Sequence, residues 1–303
     1  MRFPTVNPFM LLIKNARPGL LLAAALSYGL GAGVALHQGQ TLRWPALLAG
    51  LGLLWLLLLG SGCLKRFYDP PAAAAETGAE TAGVPDLARQ QQEHLVFLLA
   101  GMTFWITGAG LTALLVIQGG LAWSTVILLM VAAALGLAWG VPPFRLVYSG
   151  YGELVETALV TIFAPLFGQL LLLDEVHPLL VRLLAPLFLT HLAMLLAFSL
   201  PHYATQLKHR QTTLIIRAGW EWGIRLHNGL LVAAFVLIPF LVLVGLPWAF
   251  AWRAFLALPL AAYQIWLMRA IVQGAPPNWR LLRLAAVTTW VLLVYQWLVF
   301  LWL

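Results

Sequence analysis

Apolar and polar positions alternate along this chain in long blocks rather than in short periods. Nine apolar runs stand out, at about 19–36, 44–63, 95–118, 122–139, 154–173, 179–200, 228–246, 249–268 and 284–302. Each is close to the ~20 residues that an α-helix needs to cross the hydrocarbon of a bilayer. No period-two alternation runs through them, which argues against a membrane β-barrel. The pattern predicts an all-α, nine-helix integral membrane bundle, read as one domain over residues 1–303. Pro165, Pro178, Pro186 and Pro239 fall in or at the ends of runs, where packed neighbours tolerate a kink.

Composition supports this reading. Hydrophobic residues make up 62% of the chain and charged residues only 9%, against about 25% charged in soluble domains. The single cysteine, Cys63, permits no intrachain disulfide and no cysteine metal motif. Pro4, Asn7 and Pro8 interrupt the N-terminal segment, so a cleavable signal peptide is not expected there.

Charge predicts the orientation. With the N-terminus in the cytoplasm, fourteen of the 17 Lys and Arg residues fall inside, and only Arg43, Arg182 and Arg253 fall outside. The net charge of +7 is therefore first a topology signal. Nucleic acid is not expected as a partner, because the charge is spread over the loops. The expected location is the plasma (inner) membrane, multi-pass, with the active face cytoplasmic. Three inside loops, 64–93, 140–153 and 201–227, are long and polar. The stretch DPPAAAAETGAETAGVPD (69–86) is rich in Pro, Ala and Gly and predicts a mobile connector over about 69–93.

Three segments carry a resemblance. NARPGLLLAAALSYGLGAGVAL (15–36) places Arg-Pro before the first run. WGVPPFRLVYSGYGELVE (139–156) follows the fourth. FSLPHYATQLKHRQTTLIIRAG (198–219) follows the sixth. Together they resemble the UbiA superfamily of membrane prenyltransferases, and most closely its 1,4-dihydroxy-2-naphthoate polyprenyltransferases of menaquinone synthesis. The resemblance implies a nine-helix bundle that transfers an isoprenyl group from a polyprenyl diphosphate to a lipid-soluble acceptor. It also implies Mg²⁺ held by two aspartate-rich motifs.

This sequence departs from both motifs. In KRFYDPPAA (65–73), Asp69 keeps one acid, while Lys65, Arg66 and Ala73 stand where Asn, Asp and Asp are expected. In the second motif His202 and Gln206 replace both aspartates. Mg²⁺ takes oxygen ligands, usually carboxylates with phosphate oxygens. No cofactor is therefore assigned, and Asp69 is the one possible metal ligand.

Three alternatives remain open at this level. Lys65, Arg66, Arg145, Lys208, Arg210 and Arg217 bind the diphosphate without metal, as guanidinium and ammonium groups can. Alternatively, the fold is kept without catalysis and binds membrane lipid or a quinone-like molecule. In the third, Glu76, Glu80 and Glu93 fold back to supply ligands. Asp69, Arg145 and Glu153 are the candidate catalytic residues, Glu153 because it falls on the family's Gly-Glu position. Each basic residue also has a plainer role as a topology anchor at a helix end, and Glu153 and Glu156 also suit a helix N-terminus. A transporter fits less well, because charged residues within the runs are scarce and no inverted repeat is evident.

Overall fold

The computed structural model of the chain describes residues 8–69, 87–208 and 212–303. Among them helices dominate and no strand occurs. A short helix, α1 (Pro8–Asn15), precedes α2 (Pro18–His37), α3 (Trp44–Tyr68), α4 (Leu87–Ile117), α5 (Trp123–Gly140) and α6 (Gly152–Leu170). Then come α7 (Pro178–Ser199), the short α8 (Tyr203–Lys208) and α9 (Leu214–Ala218), α10 (Trp220–Leu243), α11 (Trp248–Val272) and α12 (Trp279–Trp302). Nine helices among the described residues are long and apolar enough to cross a membrane. The chain is a multi-pass membrane protein by this measure. Lipid offers no partner to an open backbone, so each crossing segment closes its own hydrogen bonds as a helix.

Elementary signals set the helix starts. Pro18 and Pro178 sit at the first helical position, where a missing N–H costs nothing. Thr213 and Asn278 cap α9 and α12 by accepting from Ile216 N and Leu281 N. Within α6 the backbone widens to a π turn over Leu159–Phe163, just ahead of Pro165. Proline lacks the N–H that Thr161 O would otherwise receive, so a wider turn relieves the ladder there.

The core lies where α2, α6, α7 and α12 meet. Most of α7 is buried, whereas α4 is peripheral and turns Leu95, Leu99, Met102 and Ile106 outward. Small residues bring α2 and α6 into backbone contact: a Cβ on Gly31 would lie 1.7 Å from Pro165 O, and one on Gly168 would lie 2.1 Å from Tyr28 O. Without a hydrophobic effect between helices in lipid, such close packing is a main source of association. Tyr28 Oη donates to Leu47 O, and Trp297 Nε1 to Phe250 O, tying further pairs together.

Several boundaries differ from expectation: α3 runs on to Tyr68, through residues expected in a loop, and α4, α10 and α12 start early. Helix α4 begins at Leu87, so the end of the expected 69–93 connector is helical; Leu, Ala, Arg, Gln and Glu there are good helix formers despite their polarity. Residues 70–86, with Glu76 and Glu80, lie outside the described residues. Helix α10 starts at Trp220, eight residues before the apolar run, because Glu221 and Arg225 form an i,i+4 pair on an exposed face.

Candidate functional site

The last turn of α3 carries Lys65, Arg66 and Asp69. Their i,i+4 and i,i+3 spacings place both cations beside one carboxylate. Lys65 Nζ lies 3.2 Å and Arg66 NH1 3.6 Å from Asp69 Oδ2. Asp69 is 8% exposed. Its other oxygen accepts a short hydrogen bond from Tyr148 Oη. Burial, then the Asp69 hydrogen bond and charge, push the Tyr148 phenol well above its ordinary pKa, so it remains a donor.

The connection after α5 supplies the second part. Arg145 donates through NH2 to Tyr68 O and lies over the Tyr148 ring, 5.2 Å from its centroid. Arg145 has φ 43°, a left-handed conformation that non-glycine residues rarely adopt. Lys65 Nζ is also within 6 Å of the Trp139 and Tyr148 rings. Two cations and a phenol thus contact one carboxylate, and Arg145 joins the cluster through the face of that phenol.

The same connection reaches the third segment. Ser149 bridges to Thr212, and Arg217 NH1 donates to Ser149 O at 3.4 Å while lying over Tyr151 at 4.6 Å. Glu153 accepts from Ser199 Oγ (3.4 Å) through one oxygen and from Leu214 N (3.3 Å) through the other, so it ties the end of α7 to the start of α9. Gln206 Oε1 accepts from Thr213 Oγ1 at 3.2 Å. His202, Lys208 and Arg217 are exposed. Arg210 lies outside the described residues. Residues 65–69 and 212–217 therefore both touch the 142–153 connection, while among the described residues no hydrogen bond or ion pair joins His202 or Lys208 to the cluster around Asp69.

Sequence reasoning missed a pair beneath this cluster. Arg17 donates to both oxygens of Glu156, at 2.9 and 2.6 Å, and stands 5.8 Å from the Trp139 ring centroid. The Glu156 charge raises the Arg17 pKa against the opposing effect of burial. Arg17 is the second non-glycine residue with positive φ, at 47°. Trp139 thus lies between Lys65 and Arg17, linking the cluster to the start of α2. Signals existed: Arg17 opens the first resembling segment, and Tyr148 and Glu156 lie in the second.

The donor set can be tested against a divalent ion. No group of three or more His, Cys, Asp or Glu side chains converges among the described residues. Both Asp69 oxygens are engaged, and a cation there would sit against Lys65 and Arg66. Mg²⁺ needs oxygen ligands in near-octahedral array, so these residues do not fit a Mg²⁺ site at Asp69. The arrangement suits an anion instead, since Arg145, Lys65 and Arg66 concentrate positive charge beside a neutral phenol.

No family profile matches the chain, and no curated protein matches it by sequence. Solved structures do. A UbiA homologue from Archaeoglobus fulgidus, bound to GPP and Mg²⁺, is similar with a TM-score of 0.65 at 14% identity, over 97% of this chain and 100% of that one. A Cd²⁺-bound structure of a UbiA homologue from the same organism gives 0.63 at 13% identity over 97% and 100%. A digeranylgeranylglyceryl phosphate synthase gives 0.57 at 12% identity over 97% and 98%. With such coverage on both sides, the fold of this chain is the UbiA-type membrane bundle.

Proposed function

We propose that this chain is a divergent UbiA-type membrane prenyltransferase whose diphosphate site is basic rather than metal-centred. The observation that carries the reading is the cluster of Lys65, Arg66, Arg145 and Tyr148 at Asp69, on a fold shared with a homologue bound to GPP and Mg²⁺. In the proposed reaction the bond between the allylic carbon and the diphosphate oxygen breaks, and the leaving group keeps the electron pair. The acceptor carbon bonds to the allylic carbon and loses a proton. Lys65, Arg66 and Arg145 would stabilise the charge that grows on the leaving group, the role that oriented cations fill in other phosphoryl chemistry. Arg217, Lys208 and Arg210 would add longer-range attraction. Glu153 would position the second loop. The site would face the cytoplasm with the N-terminus inside, as the positive-inside bias suggests, and the resemblance of residues 139–156 and 198–219 favours an aromatic acceptor of the dihydroxynaphthoate type.

The test is turnover. Purified protein, labelled geranyl diphosphate and 1,4-dihydroxy-2-naphthoate should yield prenylated product in chelator as in Mg²⁺. Absence of product under both conditions would overturn the enzyme reading. A second reading, a UbiA-type protein that binds isoprenoid lipid or quinone without catalysis, is favoured by one observation: Asp69 is already neutralised by the chain's own cations.

A further inference from the structure

From residue 222 to residue 303 the chain holds five arginines and no Asp or Glu. Three of the five, Arg269, Arg280 and Arg283, fall within about one turn of the connection between α11 and α12. A buried contact sets the register of this hairpin: Gln264 Nε2 donates to Thr289 Oγ1 at 2.5 Å and to Ala285 O at 3.4 Å. The two helices run antiparallel. Five residues on from Gln264 therefore come opposite five residues back from 285–289, and Arg269 stands level with residues 280–284. Three cations share one level of the hairpin, and neither helix carries an acid to offset them. At the far end of α12, Trp302 Nε1 donates to Gly29 O in the second half of α2. The starts of α12 and α2 thus lie at one end of the bundle, the end that holds Arg17 and the cluster at Asp69.

The side chains above these arginines are apolar and face outward. At i−3 from Arg269, Trp266 is 60% exposed and stacks on Tyr263, with ring centroids 5.6 Å apart and 16° between the planes. At i+4 from Arg280, Leu284 is 63% exposed. Such spacings keep each pair on one helix face. Both helices therefore show the same order, a guanidinium at the end of the bundle and an apolar side chain further into the hydrocarbon. A phospholipid has that order too, with phosphate at the surface and acyl chains running inward. The exposed Arg269 and Arg280 have no hydrogen bond or ion pair among the described residues. Their neighbours differ: Arg225 at the start of α10 pairs with Glu221, and Arg283 donates through Nε to Trp279 O.

We infer that the α11–α12 hairpin is a binding site for an anionic phospholipid, whose phosphate accepts from Arg269 and Arg280 and whose acyl chains lie along Trp266 and Leu284. Basic side chains between membrane helices, at the level of the headgroups, recognise lipid phosphate by charge, and guanidinium suits phosphate oxygens. A choline headgroup would set its own cation among three arginines. A headgroup without a cation, such as glycerol, meets only attraction there. The hairpin shares no residue with the cluster at Asp69, so the inference does not depend on the proposed function.

The test is native mass spectrometry of the full-length chain, equilibrated in detergent with equal amounts of phosphatidylglycerol and phosphatidylcholine bearing the same acyl chains. The chain should retain phosphatidylglycerol over phosphatidylcholine by about tenfold, since one arginine near a surface favours anionic lipid by about fivefold. Arg269→Gln and, separately, Arg280→Gln should each lower that ratio by about threefold or more. Glutamine keeps the helix propensity, and an unchanged melting midpoint in phosphatidylcholine confirms that the fold survives. Lys208→Gln removes a charge from α8, outside the hairpin, and should leave the ratio within about 1.5-fold. A wild-type ratio near one, as arginines serving only as topology anchors would give, would overturn the inference. Equal losses in Lys208→Gln and the hairpin variants would overturn it too, by showing bulk charge in place of a site. Displacement of the bound lipid by an equal concentration of glycerol phosphate would overturn the lipid assignment in favour of a soluble anion.

Discussion

The two places where family resemblance expects metal-binding acids have become different kinds of surface. At the first, around Asp69, one carboxylate survives and is ringed by Lys65, Arg66 and Tyr148, with Arg145 stacked on the same phenol. The second, at 202–206, has no carboxylate. His202 is exposed, and Gln206 is engaged by Thr213 within its own loop. The first is a built cluster with mutually fixed groups, and the second is a largely exposed short helix, α8, with the residue before it. The scarcity of acidic residues at the two segments therefore need not have one meaning. A cluster whose members hold one another keeps its geometry and can bind an anion. A short helix with exposed basic side chains contributes mainly screened, long-range attraction.

The largest effect should come from removing the scaffold that both places share. Gly31→Ala drives a Cβ into Pro165 O and should destabilise the bundle by about 3 kcal/mol or more. Gly62→Ala, where a Cβ meets nothing within 4 Å, should stay within about 0.5 kcal/mol. Unfolding in graded SDS reads both. An equal response would mean that α2 and α6 do not approach so closely.

Next comes the contrast itself. Arg145→Ala should weaken geranyl diphosphate binding by about tenfold or more, since a charge-assisted hydrogen bond contributes about 1.5–3 kcal/mol. Lys208→Ala, at the exposed end of α8, should change it by less than about twofold. Calorimetric titration at low salt compares them, and the reverse order would make the second loop the true anion site.

Asp69→Asn sharpens the chemistry. It removes the anion at the centre of the cluster while keeping an acceptor for Tyr148. Binding of diphosphate should tighten by roughly two- to fivefold if cations alone hold it, because like charge beside the ligand is gone. A loss of binding would identify Asp69 as a metal ligand.

The smallest effect is expected at the ion pair below. Arg17 keeps 45% of its side chain exposed, so much of its attraction to Glu156 is screened by solvent. Glu156→Gln should cost about 1 kcal/mol of stability, measured in the same SDS titration, and leave diphosphate affinity within about twofold. A larger change in affinity would place Arg17 and Glu156 inside the diphosphate site.

Much of the fold was legible because lipid leaves few choices. Run length alone located all nine apolar helices found among the described residues. Starts hidden by charge were not legible. Glu221 and Arg225 read as loop, although their i,i+4 pairing on an exposed face is helical. At the site, the resemblance singled out Lys65, Arg66 and Asp69 but left them in a loop, whereas Lys65 and Arg66 lie in the last turn of α3 and Asp69 follows it. What spacing could not give was the pairing across 139 residues of sequence between Arg17 and Glu156, or Tyr148 as the partner of Asp69. Such contacts depend on how α2, α3 and α6 cross, which small residues such as Gly31 and Gly168 set through close approach.

The central claim is that cations of this chain, and not a divalent metal, neutralise a bound diphosphate. It is tested most directly by titrating the wild-type protein with geranyl diphosphate in chelator and again in Mg²⁺, each at low and high salt. The account predicts affinities within about twofold in chelator and Mg²⁺, and a marked weakening as salt screens the charge pairs. Binding that requires Mg²⁺ and vanishes in chelator would contradict it.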